Sequence, residues 1–439
     1  MAVPRLEGAT TTAKSKGKYF MAFHNQKVVF VTDYPLDARD AKRFGLTELQ
    51  AAGLQIEVWD LSHFYFPAAS GLGIESPSWM NLTVCSSMKQ VRGLCSALTI
   101  DHVVIFLGGL HPEQVGRGRK LLRSVSETPA RLASFSSGHI PVAILPVRKL
   151  SWRGSRAARV LRLMADRHRW KKIPQGLSAS LFVLKVDLQR RMHLRGPIRP
   201  LDHIWVGTMV TGIAPVFIDA STTITYIHTL DYDLVLATRA AGDTSIPRLV
   251  FIDSMGPLHP DYVVHENGSG ISIEAYSDII CRGLNEVEHQ LGSEVVIAAH
   301  PRATPGVMEP WYGGRTLFYS QTPELIADAT AVVVADGSTA IGLAAVFQKP
   351  LALLISAHFD PFIRKLSLGY SQALSTPLVD LDYSEMPIIS LDVDEDAYAR
   401  YVEKYIKKPG TPEKPFWSIV ASEIMTWAGP SPSPARSHE

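Results

Sequence analysis

Residues Val295 to Leu354 read VVIAAHPRATPGVMEPWYGGRTLFYSQTPELIADATAVVVADGSTAIGLAAVFQKPLALL, and the class of fold follows from their pattern. Two short apolar runs, Val295–Ala299 and Ala331–Ala335, have the length and β-branching of buried strands. A helix that opens at Thr322-Pro323-Glu324 separates them, and an apolar helix over Ala340–Phe347 follows the second run. Strands that alternate with helices in this way predict an α/β fold built from parallel βαβ units.

A cluster of polar residues follows each of these two strands. His300-Pro301-Arg302 ends the first strand, and Asp336-Gly337-Ser338-Thr339 ends the second. Because ligands bind beyond the carboxyl ends of the strands in a parallel sheet, both clusters belong to one predicted site. The second cluster also opens a helix, where N–H groups and the helix dipole favour a phosphate. We therefore predict donor-phosphate binding by His300, Arg302, Gly337, Ser338 and Thr339.

Each cluster also has a purely structural interpretation. A Ser or Thr at a helix start often does no more than cap the helix, and His-Pro after a strand is often only a turn. The sequence contains neither a GxGxxG fingerprint nor a Walker lysine. The occurrence of both clusters one strand–helix–strand unit apart favours the phosphate site.

The paired clusters resemble the motifs of GT-B glycosyltransferases that use CMP-activated sugars, such as polysialyltransferases and the Kdo transferases of bacterial capsule synthesis. His300-Pro301 is similar to the family's first motif, Ser338-Thr339 to its second, and Phe347–Leu351 also fits the pattern. The resemblance implies two Rossmann-like domains with a cleft between them, and donor-phosphate contacts from the His and the Ser/Thr pair. It implies a nucleotide-sugar as substrate. His300 is also a candidate to protonate the leaving phosphate.

A second likeness covers three further stretches. Phe30–Ser62 resembles the first unit of uncharacterised bacterial surface-carbohydrate proteins, and His228–Asp233 and Leu258–Tyr262 are similar to stretches of the same group. This likeness implies a glycan or a lipid-linked glycan as the acceptor. We also expect the last helix, Phe416–Trp427, to cross back onto the first domain, as the last helix commonly does in GT-B enzymes.

Length and composition are those of a globular protein with two domains. A chain of 439 residues exceeds the usual single core of about 250–300 residues. We predict a leader over 1–20, an N-terminal acceptor domain over 21–245, a C-terminal donor domain over 246–427 and a tail over 428–439, with the leader and tail disordered. The three cysteines form no CxxC pair and indicate a reducing compartment. No run approaches 18 apolar residues, so we expect no membrane-spanning helix and a cytoplasmic location.

The remaining strands are predicted from short β-branched runs between turn residues. In the N-terminal half they are Lys27–Thr32, Leu54–Leu61, His102–Leu107, Ile140–Pro146, Asp202–Val206 and Thr223–His228. In the C-terminal half they are Arg248–Asp253 and Leu351–Ile355. We predict that Asp37 caps a helix that runs to Ala52 and that Ser272 caps a helix closed by Gly292.

One stretch, Arg148–Lys172, is strongly basic. It carries ten Lys or Arg residues against the single acid Asp166. An amphipathic basic helix with flanking tryptophans is typical of an anionic membrane surface, so we expect peripheral association with membrane. A solvated helix face, or a face for a polyanionic glycan, remains the alternative. No RNP, helix-turn-helix or zinc pattern accompanies the charge, so we expect no nucleic-acid partner.

Candidates for acid–base chemistry come from the N-terminal half. Asp231-Tyr232-Asp233 is a DxD pattern, which could hold a divalent cation, but we favour a place at the interdomain cleft. There, either His228 or Asp231 would face the donor and serve as general base toward an acceptor hydroxyl. Arg39, Asp40 and Arg43 are candidates for the acceptor side, where Arg39 and Arg43 could hold an anionic group. Because the predicted donor contacts are His, Arg, Ser and backbone N–H groups, we expect no metal and no organic cofactor.

Three functions remain compatible with the sequence. The first is a GT-B glycosyltransferase with a CMP-sugar donor. The second is a UDP-sugar 2-epimerase, or a transferase of glycerol phosphate from CDP-glycerol, on the same architecture. The third is a non-catalytic glycan- or membrane-binding scaffold. A serine hydrolase is disfavoured because GxSxG is absent.

Overall fold

The computed structural model describes residues 26–66, 74–111, 115–136, 138, 140–141, 198–241, 248–259, 262, 270–335, 337–383 and 387–427. The predicted leader and tail, the basic stretch Arg148–Lys172, and Asp336 lie outside these residues. The segment 242–247, where the sequence predicts the domain boundary, also lies outside them. Among the described helices, none combines the length and apolar character that a membrane crossing requires.

The N-terminal half forms a parallel sheet of seven strands in the order β3-β2-β1-β4-β5-β6-β7. The strands are β1 Lys27–Thr32, β2 Gln55–Asp60, β3 Leu82–Val84, β4 His102–Phe106, β5 Arg131–Ser136, β6 His203–Val206 and β7 Thr223–Tyr226. The described helices of this half are α1 Ala38–Arg43, α2 Leu46–Ala51, α3 Ser62–Tyr65, α4 Met88–Ser96, α5 Val115–Ser126 and α6 Tyr232–Ala241.

The prediction of a strand over Ile140–Pro146 was wrong for the residues that are described. Residues 140 and 141 carry no strand, and the fourth long strand of the sheet is Arg131–Ser136 instead. Two serines interrupt the apolar pattern from which this strand could have been predicted. Ser134 donates its hydroxyl to the carbonyl of Phe106 at 3.0 Å, and Ser136 pairs with the hydroxyl of Thr211 at 2.7 Å, so both polar side chains can be buried.

The C-terminal half forms a second parallel sheet, of six strands, in the order β10-β9-β8-β11-β12-β13. The strands are β8 Arg248–Ile252, β9 Val295–Ala298, β10 Leu317–Phe318, β11 Ala329–Val334, β12 Leu351–Ile355 and β13 Leu378–Asp380. The helices are α7 Ile273–Leu291, α8 Thr322–Asp328, α9 Ile341–Val346, α10 Pro361–Leu374, α11 Glu395–Tyr401, continued by a π-helical turn over Val402–Ile406, and α12 Phe416–Thr426. The predicted two-sheet α/β architecture is therefore confirmed.

Helix caps follow the sequence closely. The carboxylate of Asp37 accepts the N–H of Asp40 at 2.7 Å, and the hydroxyl of Ser272 accepts the N–H of Ala275 at 3.2 Å. The helix predicted to run from Asp37 to Ala52 is divided at Gly45, which has a φ of 70°. A Cβ there would lie 2.1 Å from the indole of Trp417, so only glycine allows the C-terminal helix to approach.

The C-terminal helix α12 packs on the N-terminal sheet, as predicted. Phe416, Trp417, Val420 and Ile424 are buried in the same apolar cluster as Phe30 and other residues of that sheet. The indole N–H of Trp417 donates to the carbonyl of Arg43 at 2.9 Å. The helix therefore ties the end of the chain to the first domain.

Each sheet has one point where the strand order reverses. In the N-terminal sheet it lies between β1 and β4, and in the C-terminal sheet between β8 and β11. Ligands of doubly wound sheets bind in the crevice beyond the carboxyl ends of the strands at such points. The candidate site is therefore expected beyond β8, β9 and β11.

Candidate active site

Asp253, directly after β8, organises the C-terminal crevice. Its side chain is buried, and one carboxylate oxygen accepts the hydroxyl of Tyr312 at 2.5 Å and the N–H of Met255 at 2.7 Å. The other oxygen accepts the backbone N–H of His300 at 3.0 Å. Burial raises the pKa of Asp253 above the usual value, although these hydrogen bonds oppose the rise. Asp253 thus holds the loop after β9 against the end of β8.

His300 enters this crevice as a neutral imidazole. Its Nδ1 accepts the backbone N–H of Arg302 at 3.1 Å, which leaves Nε2 to carry the proton in the neutral ring. Burial lowers the pKa of His300 to about 3, and the neighbouring His259, Arg39, Arg302 and Arg43 add to the lowering. His300 is therefore a hydrogen-bond donor in a positive environment and carries no charge of its own at neutral pH. A phosphate placed against Nε2 would find both a donor and a favourable potential.

Arg302 spans the cleft between the two domains. Its Nη2 donates to a carboxylate oxygen of Asp40 at 2.9 Å, and its guanidinium carbon lies 5.5 Å from the ring centre of Tyr34. Both partners belong to the first crossover of the N-terminal sheet. Burial raises the pKa of Asp40, while the charge of Arg302 opposes that rise. A residue predicted for the donor side and one predicted for the acceptor side are thus in direct contact.

Arg39 and Arg43 complete a cluster of three guanidiniums. A nitrogen of Arg39 lies 3.6 Å from Asp40, and Arg43 donates to a carboxylate oxygen of Asp231 at 3.0 Å. The pKa of Arg39 is lowered by burial first and by the charge of Arg43 next, although the carboxylate of Asp40 opposes this. Close spacing of like charges raises the free energy of the empty cleft and favours the entry of an anion.

The loop after β11 supplies the other side of the crevice. Ser338 Oγ accepts the N–H of Ala340 at 3.2 Å, and Tyr370 donates its hydroxyl to the Ser338 carbonyl at 3.1 Å. A Cβ on Gly337 would lie 2.5 Å from Leu366, so the loop fits closely against α10. Helix α9 begins at Ile341, and the N–H groups of Ile341 and Gly342 already donate to the carbonyls of Ser338 and Thr339. Ser338 Oγ therefore stabilises the turn that precedes α9, while Thr339 is exposed.

A small cavity of about 120 Å³ lies between the two domains. Asp231 and Arg43 line it from the N-terminal domain, and Thr339 and Leu343 line it from the C-terminal domain. Its remaining walls are largely aromatic and aliphatic and include Tyr232, Val235, Tyr370, Tyr401, Tyr405 and Ile406. Asp231 and Thr339, which are 108 positions apart, are thus brought to one place.

His228 does not face this cleft, contrary to expectation. Its side chain is fully buried, and its two ring nitrogens each lie 2.9 Å from a backbone carbonyl oxygen, of Thr229 and of Lys414. The DxD carboxylates also take separate partners, because Asp233 accepts the N–H of Phe416 at 2.9 Å while Asp231 pairs with Arg43. His228 and Asp233 therefore hold the C-terminal segment, and Asp231 is the carboxylate of this stretch that lines the cavity.

Three residues of the crevice were not predicted from the sequence: Asp253, His259 and Tyr34. Asp253 ends a strand at the reversal point, so the general rule for parallel sheets could have found it. The ring of His259 lies 5.4 Å from the ring of His300 at an interplanar angle of 72°. His259 lies in the stretch Leu258–Tyr262 that the second resemblance covers, but no role in the site was predicted for it. Tyr34 comes to the site through its contact with Arg302 of the β9 loop.

Comparisons with known proteins give a limited result. No protein-family model matches the sequence, and no curated protein matches it. Three solved structures illustrate the similarity in chain path. The calicheamicin glycosyltransferase CalG4 has 13% identity, covers 92% of this chain and 98% of its own, and has a TM-score of 0.45. MurG of Acinetobacter baumannii has 10% identity, covers 92% of this chain and 100% of its own, and has a TM-score of 0.40. The glycosyltransferase SnogD from Streptomyces nogalater has 11% identity, covers 92% of this chain and 100% of its own, and has a TM-score of 0.38. The fold assignment rests on the sheet topology.

Proposed function

We propose that this protein is a glycosyltransferase that moves a sugar from a nucleotide-activated donor to an acceptor hydroxyl. The observation that supports it most is the meeting of His300 and Arg302 with Arg39, Asp40 and Arg43 across one interdomain cleft. Each domain offers a crevice of its own at this cleft. Two reactants can therefore be held by different domains and brought together where the polar groups converge.

The donor's phosphate is assigned to the crevice of the C-terminal domain. His300 Nε2 donates a hydrogen bond, Arg302 supplies charge, and Thr339 contributes a hydroxyl from the facing loop. Three guanidiniums, those of Arg39, Arg43 and Arg302, form ion pairs with two carboxylates, those of Asp40 and Asp231, which leaves an excess of one positive charge. A single negative charge matches this excess better than two. This supports a CMP-sugar, such as CMP-Kdo or a CMP-linked sialic-acid-like sugar, as the donor.

The reaction assigned to the cleft is a displacement at the anomeric carbon. The acceptor oxygen forms the new glycosidic bond, the bond between the anomeric carbon and the phosphate oxygen breaks, and CMP leaves with the bonding electrons. Asp231 is the proposed general base that takes the hydroxyl proton, because it is the carboxylate that lines the interdomain cavity. His300 stabilises the leaving phosphate by hydrogen bonding, since its low pKa disfavours a role as proton donor.

The acceptor is proposed to be a surface glycan, free or lipid-linked. The support is the resemblance of Phe30–Ser62, which carries Arg39, Asp40 and Arg43, to surface-carbohydrate proteins. We further propose a cytoplasmic protein that associates with the inner membrane surface through Arg148–Lys172. Flotation with anionic vesicles at low and high salt tests this association, and binding that ignores both lipid charge and salt would contradict it.

A nucleotide panel followed by a turnover assay tests the proposed activity. CMP is expected to raise the melting temperature more than CDP, UDP, GDP or ADP, because a ligand of the folded state stabilises it by mass action. The fitting CMP-sugar should then be hydrolysed slowly without acceptor, and equally in the presence of EDTA. Epimerisation of a UDP-sugar or glycerol phosphate transfer would replace the proposal by the second function. Binding without any turnover would indicate a scaffold, and turnover restored only by Mn²⁺ would contradict metal independence.

A further inference from the structure

A second and larger cavity lies in the N-terminal domain, away from the cleft. Its volume is about 360 Å³, which is within the range of about 300–1,000 Å³ typical of small-molecule sites. It opens at the amino ends of β5, β6 and β7, whereas the cleft lies at their carboxyl ends. Arg131 lines this cavity and Gly138 lines the cleft, so the length of β5, about 20 Å, separates the two.

The cavity is built around His203, a polar side chain that is buried at the start of β6. His203 Nε2 lies 3.0 Å from the hydroxyl of Thr225 and 3.3 Å from a carboxylate oxygen of Glu423. The same carboxylate oxygen accepts the indole N–H of Trp205 at 2.6 Å. On the same face of the sheet, the next strand presents Ala133 and Phe135, which are buried and apolar. His203 is therefore a polar side chain at a register position where the neighbouring strand carries an apolar one.

The polar side chains are held in fixed positions before any ligand binds. The indole of Trp427 stacks on that of Trp205 with ring centres 5.7 Å apart and an interplanar angle of 15°. Asp202 accepts the N–H of Leu132 at 2.7 Å. Burial acts to raise the pKa of Glu423, but hydrogen bonds from His203 and Trp205 bring that pKa below its usual value. The walls therefore present an ionised acceptor whose geometry is set by its neighbours, which reduces the entropy lost on binding.

The chemistry of the walls selects the class of ligand. The carboxylates of Asp202 and Glu423 line the cavity together with the guanidinium of Arg131, and Arg199 pairs with Asp202 at 3.4 Å. Two positive and two negative groups leave no excess positive charge for a phosphate, so the walls favour a neutral ligand. The guanidinium of Arg131 lies over the ring of Trp427 at 5.4 Å and so occupies the position that an organic cation would need. The threonine hydroxyls that line the cavity both donate and accept, as the hydroxyls of a sugar do.

We propose that this cavity is a second carbohydrate site, which takes one or two rings of a neutral sugar between Arg131, Asp202, Glu423 and the threonine hydroxyls. The proposal does not depend on the activity of the cleft. A sugar would bind here whether the cleft transfers sugars, carries out another reaction, or only binds glycans. Binding at this site would use the amino edge of the sheet, which the donor does not reach.

Saturation-transfer NMR on the full chain tests the proposal. The probes are glucose, galactose, mannose, N-acetylglucosamine and their disaccharides, with choline and inorganic phosphate as ligands of other classes. At least one neutral sugar should receive saturation. Thr225→Val, which keeps the side-chain shape, and Glu423→Gln should each weaken its binding at least about tenfold, since each removes a hydrogen-bonding group or its charge.

Matched controls make the test specific. Thr316→Val and Glu286→Gln change the same residue types in the C-terminal domain and should leave sugar binding unchanged, with circular dichroism confirming the fold of all four variants. The proposal is overturned if no neutral sugar binds, or if choline or phosphate binds in preference. It is also overturned if sugar binding survives both cavity substitutions but is lost in His300→Ala, because the sugar would then lie in the cleft. Failure of nucleotide binding would concern the proposed transferase alone.

Discussion

His228 lies after β7 and His300 lies after β9, and the two histidines have opposite environments. His228 is fully enclosed, and both its ring nitrogens lie against backbone carbonyl oxygens. His300 is partly exposed, uses one ring nitrogen for its own loop, and lies among cationic side chains from both domains.

The difference arises from what covers each strand end. The segment around Lys414 and helix α12 closes over β7 and takes the imidazole of His228 as a structural partner. Nothing comparable closes over His300 among the described residues, where Arg302 instead crosses to Asp40 of the other domain. A position at the carboxyl end of a parallel strand is therefore necessary for a role in the site but does not suffice. The residue must also keep a polar atom that no hydrogen bond within the fold already uses.

The largest expected effect comes from truncating the enclosed histidine. His228→Ala removes a buried ring that contacts Tyr232 and Phe416 and leaves carbonyl groups without a partner. We expect a loss of about 2–4 kcal/mol of unfolding free energy, measured by urea denaturation followed through tryptophan fluorescence. Nucleotide affinity per folded molecule should be unchanged. A stable variant with impaired donor binding would place His228 in the site after all.

Truncation of the cleft histidine should reduce donor binding or turnover and leave stability largely unchanged. His300→Ala removes the Nε2 donor but keeps the backbone N–H that binds Asp253. Donor affinity or turnover is expected to fall by about 10- to 100-fold, as for a hydrogen bond to a charged group. Calorimetric binding and melting temperature are measured on the same preparation. Lower stability with unchanged affinity and turnover would show that the β9 loop is only part of the core.

The interdomain ion pair offers a test in which two substitutions act in opposite directions. Arg302→Gln removes positive charge from the proposed phosphate site and should weaken donor binding about tenfold. Asp40→Asn removes the carboxylate that competes for Arg302 and should strengthen donor binding by about threefold.

Arg123→Gln is the matched control for these variants, because Arg123 is an exposed residue paired with Glu127 on α5. It should leave donor affinity unchanged in the same titration calorimetry. If Arg302→Gln and Asp40→Asn both weaken binding, the ion pair between them serves to hold the two domains in position. Asp40 then does not compete with the donor for Arg302.

A further prediction concerns the dependence of stability on pH. The folded pKa of His300, about 3, lies below the value of 6.5 for an unperturbed histidine. The unfolded chain therefore binds the proton more readily, so this contribution to stability is fully present above pH 6.5 and is lost as the pH falls toward 3.

Urea titrations of wild type and His300→Asn between pH 7 and 5 measure this effect. The free energy of unfolding of the wild type should fall more steeply as the pH is lowered. The difference in slope corresponds to up to one extra proton bound per molecule on unfolding. In the empty protein, the imidazole NMR signal of His300 should not titrate over this range. Parallel stability curves together with a signal that titrates near pH 6.5 would contradict the buried, positive environment.

Much of the fold could be predicted from local sequence because its causes are local. Apolar runs of strand length appear in the sequence whatever they pair with, and the caps at Asp37, Ser272 and Asp394 act within three residues. The same holds for the positions of His300 and Ser338 after β9 and β11, the two strands that flank β8 in the sheet. The strand Arg131–Ser136 was missed because its serines find hydrogen-bond partners that only the folded chain supplies.

Two parallel α/β units and a set of polar residues at strand ends follow from the local sequence pattern. Contacts between distant parts of the chain determine which of those residues can reach a ligand. Arg302 and Asp40 are 262 positions apart and His228 and Lys414 are 186 apart, so no local pattern predicts either contact. The walls of the second cavity are likewise assembled from β5, β6, β7 and the end of α12. Hydrogen bonds and charges act over a few ångströms of space, and distance along the chain says little about that separation until the chain has folded.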